Sequence, residues 1–347
     1  MKKLKVAELF AGIGAWSKAL EKLNIDHEVV EAIEFDEKTM HSYNLIHNSD
    51  FKSKDITLIN PSEFPDHDLL FYSPPCQAFS VAGKQEGFDD SKGRGMLFFE
   101  ALKVIQAKKP KYAIMENVKG LTQKKFQFEF ETMLQLLEQE GYNNYWKVLN
   151  AADYGIAHHR ERVFIVSIRK DIEQNFMFPG KENEFTSLSD LLEPHVDEKY
   201  YLSEVACLRL NTIDKRAKDK GLGFKNIFVN IHINDNGEFY EQESQLFLNL
   251  DANFFKGPDG KRTMINVIPD SISQSEYSGL RMPTPLECLR LMGFEDKDYF
   301  KLKLNNISNS QIYKMSGNSI VVNVVEKILK QLIPQYIKSS EALSIHN

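Results

Sequence analysis

Cysteine is scarce in this chain of 347 residues: Cys76, Cys207 and Cys288 are an odd number set far apart. That argues against a disulfide framework and against paired zinc ligands, so free thiols and no metal are expected. Long apolar runs are missing as well. No uninterrupted stretch approaches the roughly 18 residues that span a bilayer, and the mean hydropathy is -0.39. The basic Met1 to Lys5 leads straight into a predicted strand, with no cleavable apolar segment after it. A cytoplasmic protein without a membrane partner is the expectation. Positive charge is not in excess either, with 43 Lys and Arg against 49 Asp and Glu and a net charge of -6. Phosphate neutralisation needs Lys and Arg, so any nucleic-acid partner would have to meet a local basic face. Internal repeats and low-complexity tracts are absent.

What is present is an alternation of short apolar strands and amphipathic helices, the pattern of an α/β fold with a parallel sheet. Lys3 to Leu9 reads as a strand, FAGIGAW as a turn, and Ser17 to Leu23 as a helix. Gly12 and Gly14 let the backbone turn tightly and approach a ligand closely. The next strand, His27 to Phe35, ends at Glu34 and Asp36, about 20 residues on, where an acid can hydrogen-bond a ribose. Ser17 stands where a dinucleotide fingerprint has its third glycine. A nucleoside without phosphates therefore fits better than a dinucleotide, with a merely tight βα turn as the plainer alternative. Asp55 and Ile56 are read at the next strand end, where an Asp accepts from an adenine amino group or simply caps a helix.

The run Leu69 to Tyr72 reads as a buried strand that Pro74 and Pro75 stop, so Cys76 sits just past a strand end, where open α/β sheets bind ligands, with a buried structural cysteine as the plainer alternative for this stretch alone. Gln77 to Gly95 is long and glycine-rich, the composition of a lid. A helix from Met96 to Ala107 and a strand from Tyr112 to Met115 then bring Glu116 to the same sheet edge. After a helix at Lys125 to Glu140 come strands at Tyr145 to Leu149 and Val163 to Ile168. Arg160 and Arg162, two apart at a strand start, are expected on one face, with a solvated basic hairpin as the plainer alternative for an isolated RER. From about Gln174 the alternation ceases, and Asn175 to Pro194 reads as a linker into a second unit. Lys215 to Lys225 is basic and either solvated or tracking phosphates; Ile227 to Phe247 alternates like strands. Further on, RMPTPLECLRLMGF predicts a helix with Pro285 in its first turn and Gly293 past its last. A loop at Gly317 to Ser319 precedes a final helix whose apolar stripe is Val321, Val324, Val325, Ile328 and Leu332.

These stretches together resemble the cytosine-C5 DNA methyltransferases of bacterial restriction systems, which use S-adenosylmethionine. The resemblance rests on FAGIG, Glu34, the DI pair, PPCQAFSVAG, ENV at Glu116, RER at Arg160, RMPTPLECLRLMGF and GNS at Gly317, in the family's order. It covers nearly the whole chain except roughly Lys170 to Ser278. It implies a Rossmann-like methyltransferase domain at 1–185 plus 305–347 and a smaller, strand-containing target recognition domain at 186–304, with the last helix returning to the catalytic domain. Catalytic roles fall on Cys76, Glu116, Arg160 and Arg162. Cofactor contacts fall on Phe10, Gly12, Gly14, Glu34, Asp55, Ile56, Asn318 and Ser319, and DNA phosphate contacts on Ser80 and Arg94. His158, Ala157 and Lys54 depart from the family's usual Gln, Pro and Gly; none removes a group the chemistry requires.

The chemistry implied is addition of a Cys76 thiolate to C6 of cytosine, which makes C5 nucleophilic towards the methyl group. Glu116 would serve N3, while Arg162 would serve O2 and orient Glu116. The substrate is a base flipped out of double-stranded DNA; DNA methyltransferases are a standard example of enzymes that take their target base from the stack. A monomer is expected, with a companion restriction endonuclease possible. Two alternatives stand beside this reading: a tRNA cytosine-C5 methyltransferase, and a methyltransferase-like DNA-binding regulator without catalysis. The simultaneous presence of Cys76, Glu116 and both arginines speaks against the second.

Overall fold

The computed structural model describes residues 3–75, 96–182, 186–218, 228–234, 236, 238–241, 245–248, 250–256, 263–269 and 279–337. Cys76, Ser80 and Arg94, the glycine-rich stretch around them and the basic residues 219–225 lie outside these. The chain divides into two units. The first comprises Met1–Leu149, Glu161–Gly180 and Val324–Asn347; the second comprises Asn150–Arg160 and Lys181–Asn323.

The first unit begins with β1 (Leu4–Leu9), α1 (Ala15–Lys22), β2 (His27–Ile33), α2 (Glu37–His47) and β3 (Leu69–Tyr72). It continues through α3 (Leu97–Lys108), β4 (Tyr112–Val118), α4 (Gln127–Gln139), β5 (Tyr142–Asn150) and β6 (Glu161–Arg169). The strands form one sheet in the order β2-β1-β3-β4-β6-β5. Neighbours from β2 to β4 pair in parallel, and β6 runs antiparallel to β4. Strands covered by helices on both faces must be apolar throughout, and every residue of β3, Leu-Leu-Phe-Tyr, is buried. On one face Trp16 of α1 stacks on Phe71 at 4.5 Å between ring centres and meets Phe164 edge-on at 6.4 Å. A second cluster joins Leu70, Tyr72, Ala113, Met115 and Ile165 to Phe98, Leu102, Ile105, Met133 and Leu137 of α3 and α4. Asp36 starts α2 by accepting from Thr39 N at 2.8 Å, and Asn48 ends it in the left-handed region. Asn tolerates that conformation better than most residues.

The second unit holds α5 (Leu188–Leu191), α6 (Glu204–Lys218), β7 (Phe228–Ile233), β8 (Phe239–Tyr240), β9 (Met264–Pro269) and β10 (Leu280–Arg281). These are followed by α7 (Pro285–Arg290), α8 (Asp296–Leu304) and α9 (Asn309–Asn318). Its sheet has the order β10-β9-β7-β8, with β7 and β9 parallel and the outer pairs antiparallel. Thr284 and Glu287 cap α7 reciprocally, and Pro285 occupies its first turn as the sequence predicts. Glu287 also takes both terminal nitrogens of Arg281 at 2.8 Å, in a pair with no solvent exposure on either side. The last helix, α10 (Val322–Leu332), lies almost wholly in the first unit. There Glu326 meets Lys22 at 2.8 Å, and the Leu332 carbonyl accepts from Gln174.

The linker reading of Asn175 to Pro194 coincides with the passage between units at residues 180 and 181. By contact, residues 150–160 and 181–323 make up the second unit. Arg160 is bonded there to three backbone carbonyls, those of Leu250, Gly317 and Ser319, and such ties outweigh position in the chain.

Candidate active site

The turn after β1 is built on backbone conformations that few side chains tolerate. Phe10 (φ 58°), Gly12 (φ 58°) and Gly14 (φ 78°) all lie in the left-handed region. A Cβ on Gly12 would meet nothing within 4 Å, so this glycine faces open space. A Cβ on Gly14 would lie 2.2 Å from Nε2 of His47. One glycine thus leaves room for a ligand, and the other leaves room for α2. The Glu34 carboxylate fixes the turn by accepting from Gly12 N at 3.0 Å and from Asp36 N at 2.9 Å. Burial pushes its carboxyl up, against the pull of those two amides. Each carboxylate oxygen still has a lone pair to offer. Beside it Phe35 is 74% exposed, a flat apolar ring at the strand end that the sequence reading passed over. An aromatic residue immediately after a strand-terminal acid was the available signal. Glycine, acid and exposed ring together suit the ribose and base of a nucleoside.

Asp55 and Ile56 are not at a strand end. Asp55 caps a single 3-10 turn, Ile56–Leu58, taking both the amide and the hydroxyl of Thr57 on one oxygen, while Ile56 is buried. The Asp-Ile-Thr order favours this local capping over strand pairing. Lys54, in the place of the family's usual Gly, pairs with Glu31 at 2.6 Å, and its amide donates to the Glu34 carbonyl.

The candidate reacting edge is built by β3, β4 and β6. Glu116 stands opposite Phe164, so Arg162, two residues before Phe164, lies diagonally from it on the same face. Arg162 Nε reaches Glu116 Oε1 at 3.0 Å, and the glutamate is only 8% exposed. Asn117, next in β4, donates to the Pro74 carbonyl at 3.2 Å while accepting from Val118 N. That bond fixes the backbone two residues before Cys76. The sequence reading had not singled out Asn117, whose function depends on a partner 43 residues away.

Arg160 precedes the first residue of β6, and its guanidinium donates to the carbonyls of Leu250 at 3.1 Å and of Gly317 and Ser319 at 2.8 Å each. GNS is therefore held by Arg160 through its carbonyls, and it is not a loop: Gly317 and Asn318 end α9, with Ser319 as its cap. A Cβ on Gly317 would sit 2.2 Å from the backbone of Asp251, which explains a glycine within a helix. Asn318 is exposed, whereas the Ser319 side chain is buried and donates to the Ile320 carbonyl. His158 is buried at the edge of Phe247, with Nδ1 3.1 Å from the Leu291 carbonyl.

The family model for C-5 cytosine-specific DNA methylases matches residues 4–334, and the chain belongs to that family: it is a DNA (cytosine-5-)-methyltransferase. Among its relatives are the type II methyltransferase M2.ScrFI of Lactococcus lactis subsp. cremoris and the type II methyltransferase M.HhaI of Haemophilus parahaemolyticus. The first is 34% identical over 392 residues, covering 95% of this chain and 99% of that protein. The second is 34% identical over 343 residues, covering 94% and 93%. The crystal structure of the S. pombe Dnmt2 methyltransferase is similar in fold, with a TM-score of 0.72 at 24% identity over 96% of this chain and 99% of that one.

Proposed function

We propose that the protein methylates C5 of a cytosine flipped out of a specific sequence in double-stranded DNA, through a transient bond between Cys76 Sγ and C6. The carrying observation is the Arg162–Glu116 pair at 3.0 Å on the strand whose next residue, Asn117, holds the Pro74 carbonyl. A carboxyl and a guanidinium are thereby fixed beside the chain that delivers the thiol.

The Cys76 thiolate adds to C6, and the displaced electron pair moves towards N3 and O2. Glu116 hydrogen-bonds N3 as its basicity rises, and Arg162 holds the carboxyl in place while balancing charge at O2. S-adenosylmethionine, when bound, would supply an electrophilic methyl group to the enamine-like C5, its sulfur leaving as the neutral thioether. A base then takes the C5 proton, the electrons return through the ring, and the thiolate leaves. Phe10, Gly12, Glu34 and Phe35 would hold the nucleoside part of the cofactor, and the fit is supported by the open face of Gly12 and the exposed Phe35 ring. Gly14, Asp55, Ile56, Asn318 and Ser319 complete the proposed cofactor set, with Arg160 as the residue that holds the Gly317 to Ser319 segment. Ser80 and Arg94 remain the proposed phosphate contacts.

The same reading places the protein in a bacterial or phage cytoplasm, as a monomer that protects host DNA beside a restriction endonuclease. The target recognition function is assigned to the strands and intervening stretches of roughly 199–278. Tritium transfer from labelled S-adenosylmethionine to duplex DNA and to tRNA tests the assignment. Duplex DNA should be labelled and Cys76→Ala should abolish the labelling; turnover retained by that variant, or label confined to tRNA, would sink it. Bisulfite sequencing of DNA from expressing cells reads out the target.

A further inference from the structure

A polar cluster behind the glycine turn has no part in the methyl-transfer chemistry. His47, the last residue of α2, is nearly buried, with Nδ1 2.7 Å from Glu21 Oε1 and Nε2 3.1 Å from the Ile13 carbonyl. Ile13 lies between Gly12 and Gly14, so the ring reaches the backbone of the turn itself. Both acceptors lack a proton to return. Burial pushes the Glu21 carboxyl up, but the hydrogen bond and charge of His47, together with Lys18, outweigh it and hold the group at about 2. Only the doubly protonated ring donates to both oxygens; either neutral tautomer leaves a lone pair against one of them.

We propose that His47 is a positioning residue for the cofactor turn, and that its imidazolium form is the one in which the turn is set to bind S-adenosylmethionine. The inference rests on the cofactor reading above. Gly14 is the complementary half of the device, since any side chain there would displace the ring.

Among the described residues, charged and titratable groups face His47 from α1, β1, β2 and α2. Glu21 and Lys18 come from α1, where Lys18 meets Glu21 at 2.8 Å. Glu8 comes from β1, where it binds the Ser17 hydroxyl. His27 comes from β2, and burial lowers its affinity for a proton. Tyr43, one turn earlier on α2, lies 4.6 Å away, ring centre to ring centre. A cavity of about 230 Å³, lined by Ser17, Glu21, His27, Tyr43, His47 and Phe51 among others, gives the ring room to exchange its proton.

The test uses the full chain with ¹³C-labelled histidine. The dissociation constant for S-adenosylmethionine is measured by calorimetry from pH 6 to 9, and the His47 resonance is followed over the same range. The wild type should weaken about tenfold across one step that coincides with the His47 titration, as loss of one charge-assisted hydrogen bond implies. His47→Gln should bind about tenfold more weakly at pH 6 and show no step, while Glu8→Gln should keep it. A wild-type affinity that stays flat, or a step retained in His47→Gln, overturns the proposal. So does a step lost in Glu8→Gln but kept in His47→Gln. If His47→Gln does not fold, agreement or disagreement between the wild-type step and the His47 resonance decides. A wild type that binds no S-adenosylmethionine at any pH overturns the cofactor reading as well, which separates the two failures.

Discussion

Glu8 is a carboxyl wholly inside the first unit, on the strand that leads into the glycine turn, with the Ser17 hydroxyl bonded to it. Burial pushes it from the ordinary 4.5 to about 7, and the Ser17 bond recovers only part of that. The folded protein therefore binds a proton here that the unfolded chain has already lost between those two values. Stability should fall as pH rises through that window, by about 3 kcal/mol in total. Glu8→Gln keeps the hydrogen-bonding shape without the charge, so its unfolding free energy should be flatter with pH. Urea titrations at pH 5 and pH 8 measure the difference directly; parallel pH dependence in the variant and the wild type would refute the assignment.

At the scale of elements, α7 is anchored by the Arg281–Glu287 pair, whose carboxylate also accepts from the amides of Glu193 and Thr284. Removing one partner of a buried pair leaves the other charged and unsolvated, so Glu287→Leu should cost roughly 3–5 kcal/mol. The double change Arg281→Met with Glu287→Leu should recover much of that in chemical unfolding, although the capping of α7 would still be lost. This contrast bears on what the sequence could disclose. Regular elements were legible because periodicity is local: the β3 run, the glycine turn after β1 and the start of α7 at Pro285 all stand where they were expected. Three features were not. Arg160 finds carbonyls 90, 157 and 159 residues away. Gly317 sits in a helix because a neighbouring backbone demands it, against the usual cost of glycine there. Asp55 takes the cap offered as its alternative reading, but on a single 3-10 turn and not at a strand end. Of the site, Glu116 and Arg162 were readable as a sheet edge, while their pairing and the clasp from Asn117 to Pro74 became visible only in three dimensions.

For the whole molecule, the proposed division between reaction and target choice is open to a direct exchange experiment. If residues 199–278 choose the target, exchanging them for the equivalent part of a type II relative should change the methylated sequence seen by bisulfite analysis. Methyl transfer should survive wherever the hybrid folds, and an unchanged target would refute the assignment. The passage of the chain has a consequence of another kind. It leaves the first unit at Leu149, returns at Glu161, leaves again at Gly180 and comes back only at Val324. At translation rates of about 5–20 residues per second, roughly 7–30 s separate the second departure from the final return. During that interval the nascent first unit lacks α10, so Lys22 and the Gln174 side chain wait for Glu326 and Leu332. Its last apolar face stays open while the ribosome makes the second unit, and a chaperone that shields such a face should raise the yield of active protein more than one acting after release.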